Sequence, residues 1–163
     1  MIAILLISFL LEGICSNLLS TTIFLPLFSI ISLVIVYPYF KDNKNKFFVY
    51  AASLGLLYDI VYTNCPFVNT FSFFITALMI YLIYEYITVS KFNVTIINVI
   101  TILFHQTVSY IILCLFSYTI FNEGTFFTIL YSSVLANVIY GFVLYMIVLY
   151  LDKNHKLKKY NNY

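Results

Sequence analysis

The side chains able to do chemistry are few. Six carboxylates, two histidines and three cysteines are spread over 163 residues, and no two acids stand a few residues apart on one helical face. A general acid–base pair, a nucleophile with its base, or a phosphate cradle would need such proximity, or one of the motifs that creates it. The chain has no HExxH, no GxSxG elbow and no glycine-rich phosphate loop. Cys15, Cys65 and Cys114 form no CxxC and no metal-ligand spacing, and three cysteines cannot pair completely. They read as small apolar residues of helices, with a functional thiol as the alternative. No cofactor and no metal is expected. What asks for a reason is Glu12, Asp59 and His105, three ionisable groups inside apolar runs.

The elements that position them follow from composition. Hydrophobic residues make up 63% of the chain, Asp, Glu, Lys and Arg only 9%, and mean hydropathy is +1.02. Soluble domains devote about a quarter of their residues to those four types. So few charges could not cover a 19.0 kDa globule. A soluble enzyme, a disordered tail and a nucleic-acid binder are excluded together, the last because it needs a clustered basic face. The reading is an integral membrane protein embedded in the lipid bilayer. It lacks Arg and Trp while Ile, Phe, Tyr, Asn and Lys abound, so Tyr is expected to supply the interfacial belt.

A helix needs about 20 apolar residues to cross a core of roughly 30 Å. Polar punctuation gives six candidate spans, at residues 2–19, 22–39, 47–62, 67–87, 94–121 and 126–151. Ser20-Thr21 is the weakest junction, with Pro26 just beyond it, and a re-entrant hairpin there would lower the count. Continuous apolar runs such as Ile30 to Val36 contradict the alternation of a β-barrel. The first span lacks a basic n-region and a cleavage site and reads as uncleaved. The expected fold is all-α, with one transmembrane domain of six helices in a single bundle over residues 1–152. A short basic tail at 153–163 anchors the chain near anionic lipid or docks a partner.

Lysine sets the orientation. Lys41, Lys44 and Lys46 lie between spans two and three, Lys91 between four and five, and Lys153, Lys156, Lys158 and Lys159 after span six. With six spans all eight fall on one side, which the positive-inside rule makes cytoplasmic, together with both termini. The expected location is the cytoplasmic (inner) membrane of a bacterium.

Within the spans, Ala51, Gly55 and Asp59 recur every four residues on one face of span three, where small residues let another backbone approach. Asp59 sits near the outer end of that helix, facing the unfavourable end of its dipole. It therefore asks for a donor partner, as a packing clamp or as part of a ligand or ion site. Asn98, Thr101, His105 and Ser109 form a polar stripe on span five, and Ser133, Asn137 and Gly141 a small or polar face on span six. At ~1.5 Å per residue from the cytoplasmic ends, His105 lies ~16 Å deep, Asp59 ~18 Å, and Glu12 at a similar depth. A lone His at that depth is an interhelical donor or a proton relay. Glu85 is expected near the cytoplasmic boundary, close to Lys91.

One run carries a family resemblance. Leu54-Gly55-Leu56-Leu57-Tyr58-Asp59-Ile60, the break at Asn64-Cys65-Pro66, and Phe67-Val68-Asn69 opening a long apolar helix resemble the signature of the MreD family. Gly55, Asp59, Pro66 and Asn69 match its pattern, while Phe67 stands where the family commonly has Gly. The resemblance implies a non-enzymatic membrane protein of bacterial cell-wall elongation, required for rod shape. It further implies an MreC-like bitopic partner, with a RodA-type glycosyltransferase, a class B penicillin-binding protein and an MreB-like actin homologue alongside. It also implies a fold similar to the six-helix substrate-binding subunits of energy-coupling-factor transporters. That kinship supplies the alternative function, capture of a vitamin-type small molecule. Against it stand short outer loops with no Trp and no clustered polar residues. An intramembrane enzyme is the third class, and it lacks every motif.

Overall fold

The computed structural model describes residues 1–18, 25–63, 65–87 and 91–153, save the side chains at 91, 92, 135 and 136. The Ser20-Thr21 junction, Asn64 of the outer turn and the tail after Lys153 lie outside the described residues.

All described secondary structure is helical. The order is α1 (Ile2–Leu18), α2 (Phe28–Val36), a 3-10 segment (Tyr37–Asn43), α3 (Lys44–Val61), α4 (Val68–Tyr86), α5 (Lys91–Leu115) and α6 (Glu123–Lys153). Long apolar runs become helices because lipid offers backbone N–H and C=O groups no partner, and a helix satisfies them internally. Val68–Tyr86, Asn93–Leu115 and Glu123–Lys153 are long and apolar enough to cross a membrane, and Ile2–Leu18 is apolar but shorter.

The second expected span differs most from its sequence reading. It is broken into a non-helical start at residues 25–27, nine residues of α-helix, and seven of 3-10 helix. Pro38, which lacks a backbone donor and disfavours helix in the residue before it, marks the change to 3-10 helix. Pro26 acts only on Leu25 before it and leaves the start at Phe28 to contacts from other helices. At ~1.5 and ~2.0 Å per residue the two helical pieces together are ~27 Å long. Span five is trimmed to Leu115. There Ser117 takes a left-handed φ of 60°, and Ser117 and Tyr118 donate their N–H groups back to Cys114 O and Leu113 O. That bonding satisfies the last carbonyls and stops the helix.

α2 is the centre of the molecule. All nine of its residues are buried, and α1, α4, α5 and α6 all touch it. α3 packs along α4, α4 along α5, and α5 along α6. Large apolar side chains such as Leu10, Ile60 and Phe127 face outward, while Glu12, Asp59, Asn98, His105 and Asn137 are buried. Apolar outside and polar inside is the arrangement that lipid demands. The end that carries the 3-10 segment is knitted by aromatic rings, with Tyr37 stacked on Tyr84 and edge-on to Phe47, both at 4.9 Å.

Candidate functional site: polar side chains at helix starts

Gly55, Asp59 and Asn69 meet at one place, the N-terminus of α4. Asp59 Oδ1 accepts from Asn69 N–H at 2.9 Å and from Asn69 Nδ2 at 3.0 Å. Its Oδ2 accepts from Thr70 N–H at 2.9 Å and from Thr70 Oγ1 at 2.7 Å. The first amides of a helix have no partner within it, and a carboxylate there also meets the positive end of the dipole. Phe67, the residue before α4, holds φ 65° and ψ −5° and offers no side-chain cap of its own. Asp59 therefore caps α4 from the neighbouring helix. Gly55 makes the approach possible, since a Cβ there would stand 2.6 Å from Asn69 O and 2.7 Å from Thr70 Cα. Pro66 joins Leu56, Asp59, Ile60, Thr63 and Phe67 around an open cavity of about 330 Å³.

Phe67 also gives the glycine of the family pattern a physical reason. A left-handed residue with a Cβ is strained by about 1 to 2 kcal/mol, and glycine is not. This chain keeps the turn with Phe.

Glu12 and Asn137 meet at a second helix start. Glu12 Oε2 accepts from Ser29 N–H at 2.8 Å, and Oε1 from the Tyr58 hydroxyl at 3.1 Å. Asn137 Oδ1 accepts from Leu27 N–H at 2.8 Å, while its Nδ2 donates to Leu25 O and to Ser133 O, both at 2.6 Å. Non-helical backbone at membrane depth is tolerated only where protein satisfies it. Here α1 and α6 do so. Tyr62 locks the same seam, donating to Phe9 O at 3.0 Å, and Gly13 leaves the room that its ring needs.

His105 stands apart from both. Its Nδ1 is 3.0 Å from Thr76 Oγ1, its Nε2 is 3.5 Å from Ser109 Oγ, and Phe73 meets the ring edge-on. Thr76 gives its hydroxyl proton to Ser72 O at 2.7 Å, so Nδ1 is assigned as the N–H donor in that contact. Asn98, Thr101 and His105 are buried, while Ser109 is only half-buried. Glu12, Asp59 and His105 thus hold three separate partner sets. No group of three His, Cys, Asp or Glu among the described residues could hold a metal.

At the end of the bundle that carries the 3-10 segment, Glu85 pairs with Lys44 at 2.8 Å. The Glu85 carboxylate, followed by the Tyr81 hydroxyl at 3.0 Å, holds the Lys44 ammonium above its ordinary pKa.

Sequence reasoning missed Tyr58, Thr70 and Thr76 as partners. Thr70 was readable in hindsight, since a hydroxyl at the third helical position of α4 stands beside the amides that a cap must serve. Tyr58 and Thr76 carry no such local signal.

The chemistry of these sites is hydrogen bonding between helices, from buried side chains to backbone. No curated protein and no solved structure matches the chain. The family model for the rod shape-determining protein MreD matches residues 1–154, and the chain belongs to that family.

Proposed function

We propose that the protein is a non-enzymatic scaffold of the cell-wall elongation machinery, supporting rod shape by binding an MreC-like bitopic partner within the membrane. Family membership across residues 1–154 carries this reading. The family determines cell shape and belongs to the MreBCD system, in which it is a membrane component rather than an enzyme. The interior supports the scaffold role. Glu12, Asp59 and Asn137 bind the chain's own backbone amides, which leaves them to packing rather than to a substrate. Contact with the RodA-type glycosyltransferase, the class B penicillin-binding protein and the MreB-like filament is either direct or runs through that partner.

In this reading α2 and its 3-10 continuation count as one crossing, giving six spans with both termini in the cytoplasm. The one-sided lysines support that orientation.

Depletion in the native rod-shaped cell should round or widen it, and the tagged protein should co-purify from native membranes with a bitopic MreC-like protein. Cells that keep their shape but lose uptake of a vitamin would assign it to the transporter subunits instead.

A further inference from the structure

Two backbone groups at the start of α2 are held apart. Leu25 C=O and Ser29 N–H stand four residues apart, the spacing at which an α-helix bonds itself. Here each is claimed by a side chain from another helix. Leu25 O accepts from Asn137 Nδ2 at 2.6 Å, and Ser29 N–H donates to Glu12 Oε2 at 2.8 Å. Leu27, with φ −132° and ψ 43°, is consequently non-helical, and its N–H is held by Asn137 Oδ1 at 2.8 Å. The local sequence favours an earlier start. Proline is preferred at the first helical position, and Leu25 before it would take the extended conformation of a cap residue. A helix beginning at Pro26 would close the Leu25–Ser29 bond.

We propose that the start of α2 is a two-state latch, held in its short form by Asn137 of α6 and Glu12 of α1. Release of those two side chains lets the Leu25–Ser29 bond close and the helix grow back to Pro26. Closing that bond costs the Leu27 N–H its acceptor and Asn137 Oδ1 and Glu12 Oε2 their donors, so the short form is the ground state. Each side chain nevertheless keeps one partner. Asn137 Nδ2 keeps Ser133 O at 2.6 Å, and Glu12 Oε1 keeps the Tyr58 hydroxyl at 3.1 Å. Both latch helices present outward faces, Leu10 on α1 and Ile139 and Phe142 on α6. A helix packing against either face could therefore bias the latch. The change would pass down α2, whose Val34 O is tied to Tyr84 at 3.0 Å, toward the 3-10 segment and Lys44. The latch stands whether or not the MreC-like partner is the one that works it.

The test is solid-state NMR of the full chain in lipid bilayers, with Pro, Leu and Ser labelled. In the parent protein, Leu27 should show non-helical carbon shifts. In the Glu12→Ala, Asn137→Ala double variant, the shifts of Pro26 and Leu27 should move to helical values and exchange at the Ser29 amide should slow. Glu12→Gln keeps an acceptor and should keep Leu27 non-helical. Leu27 remaining non-helical in the double variant would mean that Pro26, not the latch, fixes the helix start, and the proposal fails. If the double variant does not accumulate, relaxation dispersion on the parent decides. A minor state with helical shifts at Leu27 supports the latch, and a flat profile overturns it.

Discussion

Asp59 offers the sharpest perturbation, because five donors converge on its two oxygens, the Thr63 hydroxyl at 3.5 Å being the longest contact. Asp59→Leu removes all side-chain acceptors at once. Three of the donors can find other partners: Asn69 Nδ2 already lies 3.3 Å from Thr63 Oγ1, the Thr63 hydroxyl lies 3.5 Å from the backbone O of residue 59, and the Thr70 hydroxyl can turn to a helix carbonyl. The backbone N–H groups of Asn69 and Thr70 cannot. Each stranded buried donor costs about 1 to 3 kcal/mol, so the variant should lose about 2 to 6 kcal/mol. That exceeds the ~0.6 kcal/mol average of a hydrogen bond between transmembrane helices, because backbone amides at a helix start have nowhere else to turn. Asp59→Asn is intermediate. Its oxygen serves Asn69, its amide faces Thr70, the Thr70 hydroxyl reverses to accept, and only the Thr70 N–H is stranded, for about 1 to 3 kcal/mol. The assay is unfolding in mixed micelles of rising denaturing-detergent fraction, read by circular dichroism, with the level in native membranes alongside. The expected order is parent, then Asn, then Leu. An Asn variant as stable as the parent would refute the bond count. An Asn variant that folds and binds its partner, yet fails to maintain cell shape, would show that the charge itself carries function.

Other expectations follow from the same helix pair and from the lysines. Gly55→Leu should lose at least the ~1 to 3 kcal/mol of an overpacked core, since its side chain meets Asn69 and Thr70 backbone, and the same detergent titration reads it. Phe67→Gly should gain up to about 1 to 2 kcal/mol by relieving the left-handed backbone, as the Phe ring is 58% exposed and little packing is lost. An unchanged or lowered midpoint would show that the ring compensates for the strain. A reporter active only in the cytoplasm should work after Lys44, Lys91 or Lys159 and fail after Cys65 or Glu123. Activity at Cys65 would break the six-span reading.

Most of the helices were legible because an apolar run in lipid has one way to satisfy its backbone. The same logic hid the break in the second span. Residues 22–39 read as one apolar stretch, and only Pro26 and Pro38 hinted that helix would begin late and tighten early. Repeats of three and four located the polar stripes, so Asn98, Thr101 and His105 could be placed on the inner side of α5. Partners were a different matter. Asn137 bonds Leu25 across 112 residues, and no periodicity within either segment carries that pairing. Snorkelling and solvation were enough to account for Glu85 from the sequence, and the Lys44 partner that α3 brings to it by packing along α4 carries no signal there.

The placement of the polar groups obeys a rule that sequence depth alone does not give. Read along its own helix, Asp59 sits at the wrong end of the α3 dipole, but read across the hairpin it sits at the favourable end of α4. Glu12 stands in the same relation to α2, capping the helix that follows its own. The third hairpin repeats the arrangement with a neutral group. The Tyr110 hydroxyl of α5 accepts from Asn122 N–H at 2.9 Å and donates to Asn122 O at 3.2 Å, holding the residue before α6. Asn122 in turn caps Thr125 N–H with its own Oδ1 at 3.0 Å. The difference follows from what each helix start lacks. α6 begins with a side-chain cap of its own and in exposed surroundings, so a phenol suffices. α2 and α4 follow Leu27 and Phe67, which have no polar side chain to offer, and there the preceding helix supplies a carboxylate. In an apolar chain with so few acids, a buried acid on one helix is best sought opposite the uncapped start of the next.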